Sequence, residues 1–549
     1  MCHRKLDGKS GNRRNGLSDG AVSRSLMVRL RTTCRAIGPA FGLSAAVGVM
    51  MPPITPVFAA SALSVPARGR AAPRGREQDY LAIFNRVLGR GVTPANNAAI
   101  PILILNRPNS LRLYREKLDG KKWRRVRVVG GEARLCKAMG IRKSDLTGPI
   151  YGDSVQFFSM LRLGMKDGKT DSAGIVARVP YYISGRFMFQ PWRYKPNPWI
   201  AIWLNKKAAA FRILTAASRR PRFFIPLIPL HPGGRYSRKM TGNIYSVLGY
   251  VQSMGEDLEA RAMVSLGRGH IRRCMRDILT AQRLVSLMTQ EHTALSLVAS
   301  FSLHASAMDG QRVLAESGKA SAAQLMAFMK RLDAVPKPVS MAVAVRTTER
   351  WMLRDYLDWA AAHRRTAVHQ QDAIKAVAIP LLPKSYVSWT PAQTAKANKE
   401  YEQLCDQLAA IYGIRPRMRR MRTLHLELEK WLHSGDPVAK HFAVVQLMPA
   451  ELNMLAFSDC DASDRRLTRI CLALAAFRQQ HGKFPGSLAE LAPEYLAHIP
   501  HNPFTGAGFN YRLSGKGCRL SAKDVYPRDV SGSLRLPQML PLVVHMHDH

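Results

Sequence analysis

Apolar positions recur three and four residues apart through most of the second half of the chain, the spacing of helices that bury one face. From Asn197 the pattern is nearly continuous. Trp199, Ile202, Trp203 and the alanines after Lys207 predict one helix, which Arg219-Arg220-Pro221 ends near Ser218. FFIPLIPLHPGG then reads as a proline-punctuated loop. A helix from Asn243 to Leu266, the turn Gly267-Arg268-Gly269 and a helix from His270 to Met288 predict an αα-hairpin. Ile271, Cys274, Ile278, Gln282, Val285 and Met288 trace a mostly apolar face on its second arm. The next helix spans Thr293 to Glu316 and stops at Ser317-Gly318. Ser321-Ala322-Ala323-Gln324 is a capping box, and the helix it opens ends before Pro336 and Pro338. Helices from about Met341 to Arg364, Pro391 to Ile411, Met418 to Leu432 and Val438 to Phe457 complete the middle.

The flanks differ. Glu77 to Leu88 predicts a short helix with Tyr80, Leu81, Phe84 and Leu88 on its apolar face, followed by Gly89. GVTPANNAAIPILIL (Gly91 to Leu105) starts as a turn and becomes apolar. RLYREKLDGKKWRRVRVV (112–129) predicts a hairpin around Asp119-Gly120, with Trp123, Val126 and Val128 on a packed side. At the other end, Leu467, Ile470, Cys471, Leu474 and Phe477 form one helical face. Gly482 stops that helix and Pro485 prevents its return. Leu488, Leu491 and Leu496 can pack back on it. Asn510-Tyr511-Arg512 and Cys518-Arg519-Leu520 read as two strands joined through Gly515-Lys516-Gly517. The predicted fold is therefore mainly α: an irregular array of helical hairpins, since no fixed period recurs, with a small C-terminal α+β module. The expected divisions are 1–62, an N-terminal extension; 63–196, a basic region of mixed elements; 197–458, the helical hairpins; and 459–549, the α+β module and tail.

Residues Ala36 to Ala67 carry no charge and follow Arg29, Arg31 and Arg35. The apolar run AIGPAFGLSAAVGVMM precedes small-residue sites at Val57-Phe58-Ala59 and Ala60-Ser61-Ala62, the layout of a secretory signal peptide. Met1 and Met27 both stand as starts. The alternative is a membrane anchor over residues 36–58, although the run is short for a span of about 20 residues and prolines interrupt it. The expected location is the periplasm or cell envelope.

The formal net charge is +44, from 82 Lys and Arg against 38 Asp and Glu, and it favours polyanionic partners. Two readings stand: an arginine bias spread along the whole chain, or a polyanion site where the cations cluster. The densest cluster is Arg112, Arg115, Lys117, Lys121, Lys122, Arg124, Arg125 and Arg127, interleaved with Tyr114 and Trp123; Arg415, Arg417, Arg419, Arg420 and Arg422 form another. The hairpin above is the structural reading of the first cluster. Contact with nucleic acid or acidic glycan, with stacking on Trp123, is the functional one.

The eight cysteines form no Cys-x-x-Cys pair, so isolated buried thiols are expected. Gly164 to Thr170 (GMKDGKT) is one residue short of a phosphate loop, and a polar turn is the expected structure. Gly267-Arg268-Gly269 lacks the third glycine of a dinucleotide fingerprint. No H-E-x-x-H or G-x-S-x-G occurs, and carboxylates are scarce. His545, His547 and His549 are read as a frayed tail that could take up metal adventitiously. No catalytic residue, cofactor or metal site is assigned.

Gly482-x-Phe484-Pro485, Pro493-x-Tyr495-Leu496 and Pro500-x-Asn502-Pro503-Phe504-x-Gly506 together resemble the globular part of the major pseudopilin of type II secretion systems. Gly482, Pro485, Pro493, Tyr495, Pro500, Pro503, Phe504 and Gly506 are the matching residues. No pilin-type methylation motif precedes the helix, and the tail SAKDVYPRDVSGSLRLPQ lacks the acidic calcium loop, so neither pilus assembly nor calcium is expected. GVTPANNAA, the capping-box stretch Ser321 to Leu325 and this module also resemble the arrangement of large, uncharacterised exported proteins of planctomycete-type bacteria. The resemblance implies location and architecture. The expected function is non-enzymatic binding or scaffolding, with an unknown protein or an anionic polymer as partner. Polyanion binding is the first alternative, and an unrecognised hydrolase with its site between hairpins is the second. Membrane association would run through an uncleaved N-terminus.

Overall fold

The computed structural model describes residues 79–106, 114–119, 122–127, 131–146, 151, 190–193, 204–228, 240, 247–364, 384–414, 420, 423–424, 426, 448–515, 517–522 and 543–547. These are mostly helical, with a small three-stranded antiparallel sheet near the C-terminus. The elements are α1 (Tyr80–Leu88), α2 (Ala99–Leu105), β1 (Tyr114–Asp119), β2 (Lys122–Arg127), α3 (Gly131–Ala138), α4 (Ala208–Ala217), α5 (Val247–Gly267), α6 (Ile271–Met288), α7 (Ala294–Glu316), α8 (Ala322–Asp333), α9 (Met341–Arg346), α10 (Thr348–Ala362), α11 (Pro391–Gly413), α12 (Met448–His481), β3 (Asn510–Ser514), β4 (Gly517–Ser521) and β5 (Val543–His547).

Helix starts follow their local chemistry. Thr293, Ser321 and Thr390 each cap a helix while the residue three places on returns a side chain to the cap amide. Arg268 and Gly269 turn α5 into α6, and His270 donates its amide to the Ser265 carbonyl at 2.8 Å. Gly269, at φ 79°, supplies the left-handed residue of this turn. Gly267 has a different task. A Cβ there would stand 2.2 Å from the Trp192 carbonyl oxygen, so the missing side chain lets segment 190–193 lie on the end of α5.

Helices α5, α6 and α7 pack on one another, and α12 packs on α7 and α8. One apolar cluster joins α2, α4, α5, α6, α7 from Leu303 onward, α8, the second half of α12, β4 and β5. A second joins α9, α10 and α11 to Leu297 at the start of α7 and Met454 at the start of α12. Helices α7 and α12 thus each run from one cluster into the other. A third, small cluster sets α1 against Leu227 and Met240, with Trp351 and Met352 of α10 beside it.

Four expectations are corrected. The helices expected at Val438–Phe457 and from Leu467 are joined: α12 is continuous from Met448 to His481, and residues 458 and 459 lie inside it. No glycine or proline interrupts 450–481, and the polar stretch SDCDASDRR stays helical because its acids meet basic partners on α7. The helix expected from Met341 to Arg364 breaks at Thr347, whose φ −121° and ψ −99° are not helical. In the hairpin, Leu118 pairs with Trp123 and Arg115 with Val126. Positions 123 and 126 therefore fall on opposite faces of the ribbon and cannot share one packed side. Finally, the histidine tail is not frayed over 543–547: it pairs with β4 as the third strand, with Val544 and Met546 buried and His545 exposed.

Among the described residues no helix is long and apolar enough to cross a membrane. The signal or anchor segment, the Gly164–Thr170 turn, and Arg415, Arg417, Arg419 and Arg422 lie outside those residues.

Candidate functional site

The helical interior carries an unusual number of charged side chains, nearly all tied across helix interfaces. Arg261 on α5 donates from Nε and Nη2 to the two oxygens of Asp277 on α6, both at 2.8 Å, and its guanidinium lies 4.0 Å from the Phe211 ring centroid. Arg312 on α7 bridges Asp309, Asp464 and, at 2.8 Å, the Thr468 hydroxyl on α12. Burial disfavours the Arg312 cation, but Asp464 and Asp309 outweigh burial and hold it charged. His304 on α7 meets Asp461 on α12, which Arg465 also engages at 3.2 Å. Below them, Asp257 accepts from the Tyr151 hydroxyl and from Lys207 Nζ at 3.0 Å, and that ammonium lies 3.8 Å from the Tyr151 ring centroid.

Glu259 is the exception. It is 0% exposed, and neither carboxyl oxygen has a partner. Burial, reinforced by Asp277 and Asp309, pushes its pKa well above the ordinary carboxylate value. Gly310 on α7 makes room for it: a Cβ there would stand 2.3 Å from Glu259 Oε2.

A small cavity of about 20 Å³ lies between α1, segment 225–227 and α10, with room for one water. Phe84, Ile225, Leu227, Met240 and Met352 line it, with Glu291, Thr293 and Thr348. Burial pushes the Glu291 carboxyl up to about 8. The next residue, His292, has a left-handed backbone at φ 54°, and its buried Nδ1 has no partner.

Arg283 is half-buried on α6, Arg219 follows α4, and Arg331 lies on α8; the last two are exposed. The Arg283 cation is disfavoured first by burial and then by the charges of Arg219 and Arg331. Arg220 and Arg222 show the contrast. Arg220 Nη1 donates to the carbonyls of Pro94 (3.0 Å) and Asn97 (2.9 Å), and Arg222 Nη2 to those of Leu88 (3.1 Å) and Arg90 (3.2 Å).

The residues singled out from the sequence are mostly structural where they are described. Asn97 of GVTPANNAA accepts from the Phe224 amide at 3.1 Å and donates to the Phe224 carbonyl at 2.8 Å, so this stretch clamps segment 222–224. In the C-terminal module Gly482 (φ 72°) and Gly506 (φ 73°) form turns, and the Pro485 carbonyl accepts the Tyr511 hydroxyl at 2.7 Å. Tyr495 is buried against Phe477 and contacts His481 Nε2 at 3.1 Å, Pro493 follows a cis peptide bond, and Phe504 is buried. Asn502, between Pro500 and Pro503, is 0% exposed and caps its own turn by accepting the Phe504 amide at 2.9 Å. Arg115, Lys117, Lys122, Trp123, Arg124, Arg125 and Arg127 lie on the β1–β2 hairpin, whereas Arg112 and Lys121 fall outside the described residues. The sequence reading missed the inter-helix charge pairs, such as Arg261 with Asp277 and Arg312 with Asp464, whose members lie on separate helices.

Among the described residues no group of three or more His, Cys, Asp or Glu is placed to hold a metal ion, and Cys136, Cys274, Cys405, Cys460, Cys471 and Cys518 are in no disulfide. Compared with known proteins, the chain matches no family model, no curated protein and no solved structure.

Proposed function

We propose that this is an exported, non-enzymatic binding or scaffolding protein, built as an irregular array of helical hairpins that ends in a small α+β module. One observation carries the reading: four buried charge pairs join separate elements of the helical interior. Arg261, Asp277, Arg312, Asp464, His304, Asp461, Lys207 and Asp257 are each tied to a partner on another element. The signal-like N-terminal segment supports export.

Cell fractionation, with mass spectrometry of the mature N-terminus, tests the location. Cleavage near residues 59–62 and recovery outside the cytosol are expected; a full-length protein in the cytosol overturns export. A hydrolase reading would be revived by labelling with active-site-directed probes.

The second reading, polyanion binding, is favoured by the hairpin. Its register sets Lys117 opposite Arg124 and Glu116 opposite Arg125, so basic residues crowd a two-stranded ribbon. Each phosphate contact should add about 0.9 to the log–log salt dependence of duplex binding. An affinity that is flat with salt overturns it.

A further inference from the structure

The β1–β2 hairpin sorts its residues by face. In an antiparallel ribbon directly opposed residues share a face, and successive residues on a strand alternate between faces. The register therefore places Tyr114, Glu116, Leu118, Trp123, Arg125 and Arg127 on one face. Arg115, Lys117, Asp119, Lys122, Arg124 and Val126 fall on the other. The first face answers itself. Glu116 is opposite Arg125, Leu118 is opposite Trp123 and Tyr114 is opposite Arg127. Opposite charges and apolar or aromatic residues set across from one another stabilise a sheet. The second face holds four cations against one acid, and that acid, Asp119, is opposite Lys122. Lys117 and Arg124 are opposite each other, and Arg115, one row along, is opposite Val126. Opposed positions lie about 5 Å apart and successive rows on one face about 7 Å apart. Arg115, Lys117 and Arg124 thus occupy two adjacent rows with no acid set across from any of them. Like charges directly opposed weaken a ribbon.

The same register decides between polyanions. A single-stranded nucleic acid is held by a cationic track for its phosphates together with aromatic rings on which its bases stack. Here Tyr114 and Trp123 are on the face opposite the Lys117–Arg124 row, so one face cannot supply both. An acidic polysaccharide has no bases to stack and asks for the cations alone. The export proposed above also puts the chain where such polymers are found. We propose that the face carrying Arg115, Lys117 and Arg124 is a docking surface for an acidic glycan, whose sulfate or carboxylate groups lie over the Lys117–Arg124 row. The bound polymer replaces the repulsion across that row with attraction on both sides. This inference rests on the polyanion reading above. It narrows that reading to one face and one partner, and it replaces stacking on Trp123 with contact by charge alone.

The test titrates the full chain calorimetrically, over a range of salt concentrations, with a sulfated glycosaminoglycan oligosaccharide, its desulfated form, and single-stranded and duplex oligonucleotides of matched charge. The parent should bind the sulfated oligosaccharide most tightly, with an affinity that falls as salt rises. Lys117→Gln and Arg124→Gln should each weaken that binding by about fivefold, the scale of one cation against a densely anionic surface. Arg125→Gln and Arg127→Gln remove the same charge from the other face, and Trp123→Leu removes the ring; each should change affinity by less than about twofold. Lys117→Glu sets a carboxylate opposite Arg124, which favours the ribbon, yet it should lose more affinity than Lys117→Gln. A loss in that variant therefore reports the surface and not the folding of the hairpin. No binding of any of the four probes overturns the polyanion reading and this surface together. Salt-dependent binding that Arg125→Gln weakens as much as Arg124→Gln overturns the assignment to one face and leaves the polyanion reading standing. Tighter binding of either oligonucleotide than of the sulfated oligosaccharide overturns the glycan as partner.

Discussion

Single residues in this protein are set by what stands opposite them. Gly267 sits at the end of α5 because the Trp192 backbone leaves no room for a Cβ, with its carbonyl oxygen 2.2 Å from the ideal position. Backbone cannot yield as a side-chain tip can. Gly267→Ala should therefore cost about 1–3 kcal/mol, read from the urea midpoint with an unchanged slope. Glu291 makes a different kind of prediction. Its carboxyl is raised from an ordinary value of 4.5 to about 8 by burial. Below the lower value it is protonated whether the chain is folded or not. Between the two values the unfolded chain has released the proton and the folded chain has kept it, so stability must fall as pH rises through this window. Glu291→Gln should flatten that part of the stability profile and leave the variant more stable than the parent at the alkaline end. Parallel profiles for the two proteins would show that Glu291 ionises freely in the fold.

At the scale of elements, cap chemistry and ion pairs act differently. The Ser321–Gln324 capping box is exposed and local. Ser321→Ala should cost about 1 kcal/mol and affect little beyond α8. The Arg261–Asp277 pair between α5 and α6 is buried and bidentate. Removing Asp277 alone strands a guanidinium in the core, and Asp277→Ala should cost about 3–5 kcal/mol. Replacing both partners with apolar residues, Arg261→Met with Asp277→Leu, should recover most of that loss. A double-mutant cycle by chemical denaturation checks both figures, and additive losses would show that the pair is not coupled.

At the scale of the whole molecule, the C-terminal strand belongs to the main core. Val544 and Met546 of β5 lie in the same apolar cluster as Leu472 of α12 and Leu279 of α6. Deleting residues 543–549 removes both side chains and uncovers β4, at a cost of about 3–6 kcal/mol from burial alone. Hydrogen exchange should accelerate in β4 and in the second half of α12. Protection unchanged there would mean that the strand is an accessory to the fold. Helices α7 and α12, which each enter two apolar clusters, should be the last to exchange.

Local chemistry was legible along the chain. The cap at Ser321, the stop at Gly482, the turn at Gly267–Gly269 and the β3–β4 hairpin all depend on residues within a few places of one another, so spacing and residue type carry them. The continuity of α12 was not legible, because Ser and Asp favour ends over interiors until partners from α7 hold them; His304 and Asp461 are 157 residues apart. The third strand was hidden by its histidines, although the alternation Val544, His545, Met546 marks a half-buried strand. The inter-helix ion pairs are the limiting case. Arg261 and Asp277, or Arg312 and Asp464, look like unrelated members of a charge set spread over the chain, and only the packing of α5 on α6 and of α7 on α12 makes them neighbours. Short-range hydrogen bonding and burial period are written into neighbouring residues; electrostatic convergence is a property of where separate elements come to rest.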